Sequence, residues 1–193
     1  MWVAADTRAN LAANLNTFVR IGRAFGLEMH AAASPGAESK TLAMMVPAVN
    51  SQQEKDLQDI QLEDGRTVPF ATVVKYLGTM ISSDWTDTIA VKARMDKANG
   101  MFAMNKSWLC SKDASKLAKA RYYETCVLAA LLYGAETWRL TKRLRSKLRT
   151  FHNMKVRQMA GVTKWHTRRY RIKTVVLEER PGLQSLDWHS VTR

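Results

Sequence analysis

Val74-Lys75-Tyr76-Leu77-Gly78-Thr79-Met80-Ile81 is the stretch at which this chain of 193 residues changes character. Its β-branched and aromatic residues predict a short strand, with one glycine where backbone comes close to a neighbour. Residues 1–80 hold 7 lysines and arginines against 8 acidic residues, whereas residues 81–193 hold 23 against 9. A near-neutral segment therefore ends at this strand, and a strongly basic one follows.

Working back from the strand, Asp64-Gly65 lies between two short apolar runs, 59–62 and 67–71, which predicts a hairpin. Thr41–Val46, stopped by Pro47, and Leu27–Ala33, followed by a Ser34-Pro35-Gly36 turn, are expected as further short strands. Residues 8–27 place Leu11, Leu15, Phe18, Val19, Ile21 and Phe25 mostly at helical spacing, with Asp6 or Thr7 as the cap and Gly26 as the stop. Met1–Thr7 has the pattern of a strand entering a turn.

Forward of the strand the periodicity is helical. Ser83 or Asp84 is expected to cap a helix with Val91, Met95, Ala98, Phe102 and Leu109 on one face. Ser111 or Asp113 opens a second, with Leu117, Ala120, Tyr123, Val127 and Leu131 inward and Gly134 at its end. Thr141 opens a third, with Leu144, Leu148, Phe151 and Met159 inward and Gly161 as its stop. The four histidines are scattered and are expected at the surface or at helix caps.

The charge bounds the partner. A formal net charge of +13 and a pI near 10.0 point to a polyanion, nucleic acid ahead of an anionic membrane surface. From Lys112 to Lys173 there are 17 basic residues against 3 acidic ones, spread over successive helices. Like charges at that density destabilise a helix unless a partner offsets them. Trp108, Tyr122, Trp138, Trp165 and Tyr170 are interleaved with these cations, as candidates either to stack on bases or to pack in the core. No Gly-rich phosphate loop, nucleophile elbow or zinc spacing is present, so composition alone describes a binding module. Two cysteines make no disulfide framework, and the longest apolar run, Val127–Gly134, is too short to span a membrane. The expected location is intracellular, in nucleus or cytoplasm, with no membrane partner. The oligomeric state is left open.

Lys75-Tyr76-Leu77-Gly78, the helix after it and the string Leu131-Leu132-Tyr133-Gly134-Ala135-Glu136-Thr137-Trp138 together resemble non-LTR (LINE-type) retrotransposon reverse transcriptases. Phe151-His152 with Arg157 before Gly161, then Trp165 with Arg168, extend the resemblance, which covers roughly residues 70–187. It matches the part of the enzyme that runs from the last palm motifs through the thumb. The resemblance implies an α+β chain in three parts. Residues 1–82 would be a small palm-like remnant, a helix plus short antiparallel strands ending in a primer-grip-like hairpin. Residues 83–162 would be a basic, mainly helical thumb-like bundle, and 163–193 a basic C-terminal extension.

The same resemblance assigns roles. Val3-Ala4-Ala5-Asp6 aligns with the family's Tyr-X-Asp-Asp, whose aspartates hold a Mg²⁺ pair; Ala5 stands at the first aspartate, leaving Asp6 as the residual catalytic carboxylate. Lys40 would sit near the incoming nucleotide, and Lys75, Tyr76, Leu77 and Gly78 would hold the primer end. Lys112, Lys116, Lys119, Arg121, Lys142, Arg143, Arg145, Arg168 and Arg169 would meet the RNA or DNA template-primer. Two-metal phosphoryl transfer needs both ions. The chain alone is therefore expected to bind nucleic acid without polymerising it and without a cofactor of its own, although the family is an RNA-directed DNA polymerase. The fingers and the upstream metal-binding strand of the family have no counterpart here. A domesticated non-catalytic binding protein, or a polymerase part completed by upstream sequence, are the alternatives.

Overall fold

The computed structural model describes residues 3–33, 37–46, 58–173 and 176–177. The turn expected at Ser34-Pro35-Gly36, the stop at Pro47 and most of the 163–193 extension beyond Lys173 lie outside the described residues. The fold is α+β, with a helix-rich body and two two-stranded antiparallel sheets. The chain separates into two compact units, Met1–Trp85 and Thr86–Arg193.

In the first unit, helix α1 spans Arg8–Ala24, and its cap is Thr7, whose side chain accepts from the Asn10 N–H. Leu15 and Val19 are buried, but Ile21 and Phe25, expected on the same face, are exposed. Gly26 takes φ +71° and ends the helix, as its position predicted. Val3–Ala5 is not a strand. Strands β1 (Ile60–Gln61) and β2 (Thr67–Val68) form the predicted hairpin, Ile60 opposite Val68, with Gly65 at φ +81° in its turn. The two other expected strands contract to single bridges, Ala32 with Thr67 and Ala43 with Phe70. Leu15, Val19, Ala43, Ile60, Leu62 and Val68 close the core of this unit.

The turn of that hairpin is held by charge. Asp64 accepts from Arg66 Nη2 at 2.7 Å and from Arg23 Nη2 at 2.8 Å. Arg66 also donates to the Met29 carbonyl.

The opening stretch is a hairpin and not one strand. Strand β3 (Val73–Tyr76) pairs antiparallel with β4 (Thr79–Ser82), Tyr76 opposite Thr79. Leu77 (φ +45°) and Gly78 (φ +82°) are the two loop residues, the positive-φ pair of a type I′ turn. Glycine adopts that conformation without cost, whereas leucine does not.

In the second unit, helix α2 spans Thr88–Met104 and starts later than Ser83 or Asp84 would have set it. Asp84 instead accepts from the Ser82 hydroxyl, Trp85 takes φ +55°, and the helix follows Asp87, whose carboxylate accepts from the Arg139 N–H at 2.7 Å. Leu109 belongs to a separate short helix, α3 (Lys106–Cys110). Next comes one helical rod built of three pieces: α4 (Lys116–Tyr122), a π-helical segment (Tyr123–Leu128) and α5 (Ala129–Leu132). Its first helix follows Ser115 and not Ser111 or Asp113, although the Ser111 hydroxyl accepts from Ala114 N–H in the turn before it. Leu117, expected inward, is exposed. Gly134 takes φ +75° just past the end. Helix α6 (Lys142–Met159) is capped by Thr141, which accepts from the Leu144 N–H, and Gly161 follows at φ +66°. A short helix, α7, covers Lys164–Arg169.

The core of this unit joins α2, the rod and α6 through Phe102, Val127, Leu131, Leu148 and Val156. At its centre the Tyr123 hydroxyl and His152 Nδ1 lie 2.9 Å apart, both residues fully buried. His152 is thus an interior residue, contrary to the surface expectation.

Two outcomes test these local readings. Gly78→Ala should lower stability by about 1 kcal/mol because alanine is strained at positive φ, whereas Leu77→Asn should not lower it; thermal melts of the two variants compare them. The hydrogen bond from Arg66, with its charge and that of Arg23, holds the Asp64 carboxyl below its ordinary value of 3.8. Its contribution is therefore complete above that value and is lost as pH falls through the lowered one. In acid titrations followed by circular dichroism, Asp64→Asn should be less stable than the parent at neutral pH, and the gap should narrow as pH falls below about 4.

Candidate nucleic-acid interface

The first unit contains a half-open cleft of about 900 Å³. It lies beside the segment leading into α1, with the Lys40–Val46 stretch and β3 as further walls. Four residues singled out from the sequence, Asp6, Lys40, Lys75 and Tyr76, meet on its lining, as does Ala5. Asp6, Lys40 and Lys75 are exposed and Tyr76 is half-buried. The backbone N–H of Lys40 donates to His30 Nδ1, which fixes the turn carrying it. Leu77 and Gly78 are exposed at the tip of the β3–β4 hairpin.

The Mg²⁺ pair that the resemblance implies does not fit this donor set. Among the described residues Asp6 is the sole carboxylate on the cleft lining, and Ala5 offers no ligand. Among the described residues no group of three histidines, cysteines or acids could hold a metal ion. The described lining can seat an apolar or aromatic group beside a cation.

The second unit presents the cations. Lys112, Lys116, Arg121, Lys142, Arg143, Arg168 and Arg169 are all exposed, and Arg145 is half-buried. Among the described residues, none of the helices α2 to α7 carries an acid in its first turn, where the helix dipole favours one. In α6 that turn holds Lys142, Arg143 and Arg145. Cations at the positive end of a helix cost up to about 1 kcal/mol each, and an anion there reverses the sign.

Three basic residues are not part of this surface. Lys119, expected to face a partner, is buried, and its ammonium donates to the Ser111 carbonyl at the end of α3. It cannot meet a phosphate without unmaking that contact. Arg94 is buried with its guanidinium 4.2 Å from the centre of the Tyr133 ring. Lys155 is buried too, donating to Asn99 Oδ1 at 2.5 Å, with its ammonium 4.4 Å from the Phe102 ring centre. Burial first, and the charge of Lys106 second, hold Lys155 below the ordinary lysine value. The spacing of α6 carries the signal for Lys155, which follows Leu144, Leu148 and Phe151 on the apolar stripe of that helix.

The aromatic residues divide similarly. Trp138 is core, and Trp108 meets Tyr122 edge to face at 5.9 Å. Trp165 and Tyr170 are exposed.

No family model, no curated protein and no solved structure matches the chain. Among the described residues no helix is long and apolar enough to cross a membrane.

The buried Lys155 gives a test. Exchanging a desolvated ammonium for an apolar chain of similar length is often neutral or stabilising. Lys155→Met should therefore be at least as stable as the parent in guanidinium denaturation, and it should leave nucleic-acid retention unchanged.

Proposed function

We propose that this chain is a non-LTR reverse-transcriptase-like polypeptide that holds nucleic acid and does not polymerise it. The observation that carries the reading is the exposed cationic surface of the second unit, from Lys112 to Arg169. It is supported by helix starts that lack acids and carry lysines and arginines in their place. In this reading the first unit is the palm-like remnant and the second unit is the thumb-like bundle. The β3–β4 hairpin, with Tyr76, Leu77 and Gly78 at its end, is the primer-grip element. Lys40 and Lys75, together with Arg8, bring positive charge to the cleft lining.

The proposed lack of polymerase activity rests on Ala5. An alanine methyl cannot ligate a metal, and Asp6 alone cannot position two ions in line with the attacking and leaving oxygens. Binding needs neither ion. Phosphate contacts release condensed counterions, and this drives association without any sequence readout.

Filter retention of an RNA–DNA hybrid at two salt concentrations tests the binding. With about six phosphate contacts, affinity should fall by about three orders of magnitude between roughly 50 and 200 mM salt. Lys142→Glu combined with Arg143→Glu should weaken retention and flatten that dependence. Retention insensitive to salt, or none, overturns the reading. Primer extension in the presence of Mg²⁺ should give no product, and synthesis would overturn the inactive assignment.

A further inference from the structure

The cationic surface accounts for phosphates but not for a second feature of the same unit. Helix α7 (Lys164–Arg169) buries none of its residues. Yet Trp165 is 63% exposed and Tyr170 is 65% exposed, although both are residues whose burial would stabilise the fold. The side chains are nonetheless arranged. The Trp165 and Tyr170 rings stand at 90° with centres 6.4 Å apart. The His166 ring lies nearly parallel to Tyr170, at 11° and 6.3 Å, and packs against Trp165 at 5.1 Å.

The backbone beneath them is also fixed. Thr163 caps the helix, its side chain accepting from the His166 N–H and lying 2.7 Å from His166 Nδ1. The Tyr170 and Ile172 N–H groups close the turn onto the His166 and Thr167 carbonyls. Val162 before the helix and Ile172 after it pack on the core of the second unit. Three rings are therefore held at the surface on an element tied down at both ends.

Charge says what would cover them. Lys164, Arg168, Arg169, Arg171 and Lys173 are all exposed, and residues 163–173 contain no acid. An acidic or neutral protein surface would satisfy either the charge or the rings. An unpaired nucleotide strand satisfies both, because each residue brings one phosphate and one π-face. In a duplex the base faces are already stacked on one another, so phosphates and groove edges are offered but no free π-face.

We propose that the Trp165–His166–Tyr170 cluster is a stacking platform for single-stranded nucleic acid. The proposal rests on the nucleic-acid-binding reading and adds that this element distinguishes unpaired strands from duplexes. The bases stack on Trp165 and Tyr170 while the flanking arginines and lysines meet the backbone. The selectivity is for strandedness and not for sequence, since every base has a π-face.

Fluorescence anisotropy of labelled oligo(dT), measured on the full chain, tests it beside a duplex of equal length. Trp165→Ala and, separately, Tyr170→Ala should each weaken oligo(dT) binding by about 5- to 100-fold. Neither should change the duplex affinity or the salt slope, because no cation is removed. Trp165→Phe should keep oligo(dT) affinity within about threefold of the parent. It should also lose most of the tryptophan quenching that oligo(dT) produces in the parent, a signature that a structural role for the ring would not give.

Equal losses on oligo(dT) and duplex, or unchanged oligo(dT) binding in both alanine variants, overturn the platform. If hybrid retention then remains salt-sensitive, the nucleic-acid reading survives without it. If the parent retains no nucleic acid at all, both fall. A matching arm with phosphatidylserine–phosphatidylcholine vesicles settles the remaining occupant: a loss confined to vesicle binding in Trp165→Ala overturns the proposal in favour of a membrane surface.

Discussion

The second unit cannot neutralise its own charge, and much of its construction follows from that. With 17 basic residues and 3 acidic ones between Lys112 and Lys173, most cations have no carboxylate to meet within this stretch. Some basic residues of the unit are taken into its interior. Lys119 closes the end of α3 through the Ser111 carbonyl, Arg94 lies over the Tyr133 ring, and Lys155 is held by Asn99 beside two phenylalanine rings. Each of these placements gives up hydration and recovers part of it through a dipole or a ring quadrupole. The remainder stays in water, where screening tempers the repulsion but does not abolish it. An exposed surface of one sign attracts polyanions by long-range electrostatics before any specific contact forms.

The two units expose different kinds of surface. In the first, the cleft is mixed, with Lys40 and Lys75 beside Tyr76 and, among the described residues, one carboxylate, Asp6. In the second, the surface is extended and nearly all of one sign. Enclosure favours shape and orientation, whereas an open basic surface favours affinity with little selectivity. The rings of α7 and Tyr170 differ from the rest of the second unit's surface, since they put exposed aromatic faces among its cations.

Features set by a few neighbouring residues were legible in the sequence. Thr7 and Thr141 cap their helices, Gly26, Gly134 and Gly161 end them at positive φ, and Asp64-Gly65 turns a hairpin. The errors arise where a local signal competes with a distant one. Leu77 carries no turn propensity, so Val74–Ile81 looked like one strand, and only the pairing of β3 with β4 places leucine in a loop. Asp84 looked like a cap, but Ser82 takes its carboxylate and the helix waits for Asp87. Lys119 and His152 are expected outward by residue type, although their helical phase places them inward. The cleft that gathers Asp6, Lys40, Lys75 and Tyr76 joins the lead-in to α1, the Lys40–Val46 stretch and β3, which lie far apart in the chain and which no periodicity brings together.

The π-helical segment Tyr123–Leu128 has a consequence for how this chain tolerates changes in length. A π turn accommodates about one residue more than an α turn. It lets the cation-bearing half before it and the apolar half after it keep separate rotational settings within one rod. Removing or adding one residue elsewhere in that rod would swing everything beyond by about 100°. Cations would then turn toward the core, and Leu131 toward solvent. Between Tyr123 and Leu128 the same deletion would relax a π turn to an α turn. That segment is the one place in the rod where register already has slack, and Tyr123 anchors it through the buried contact with His152.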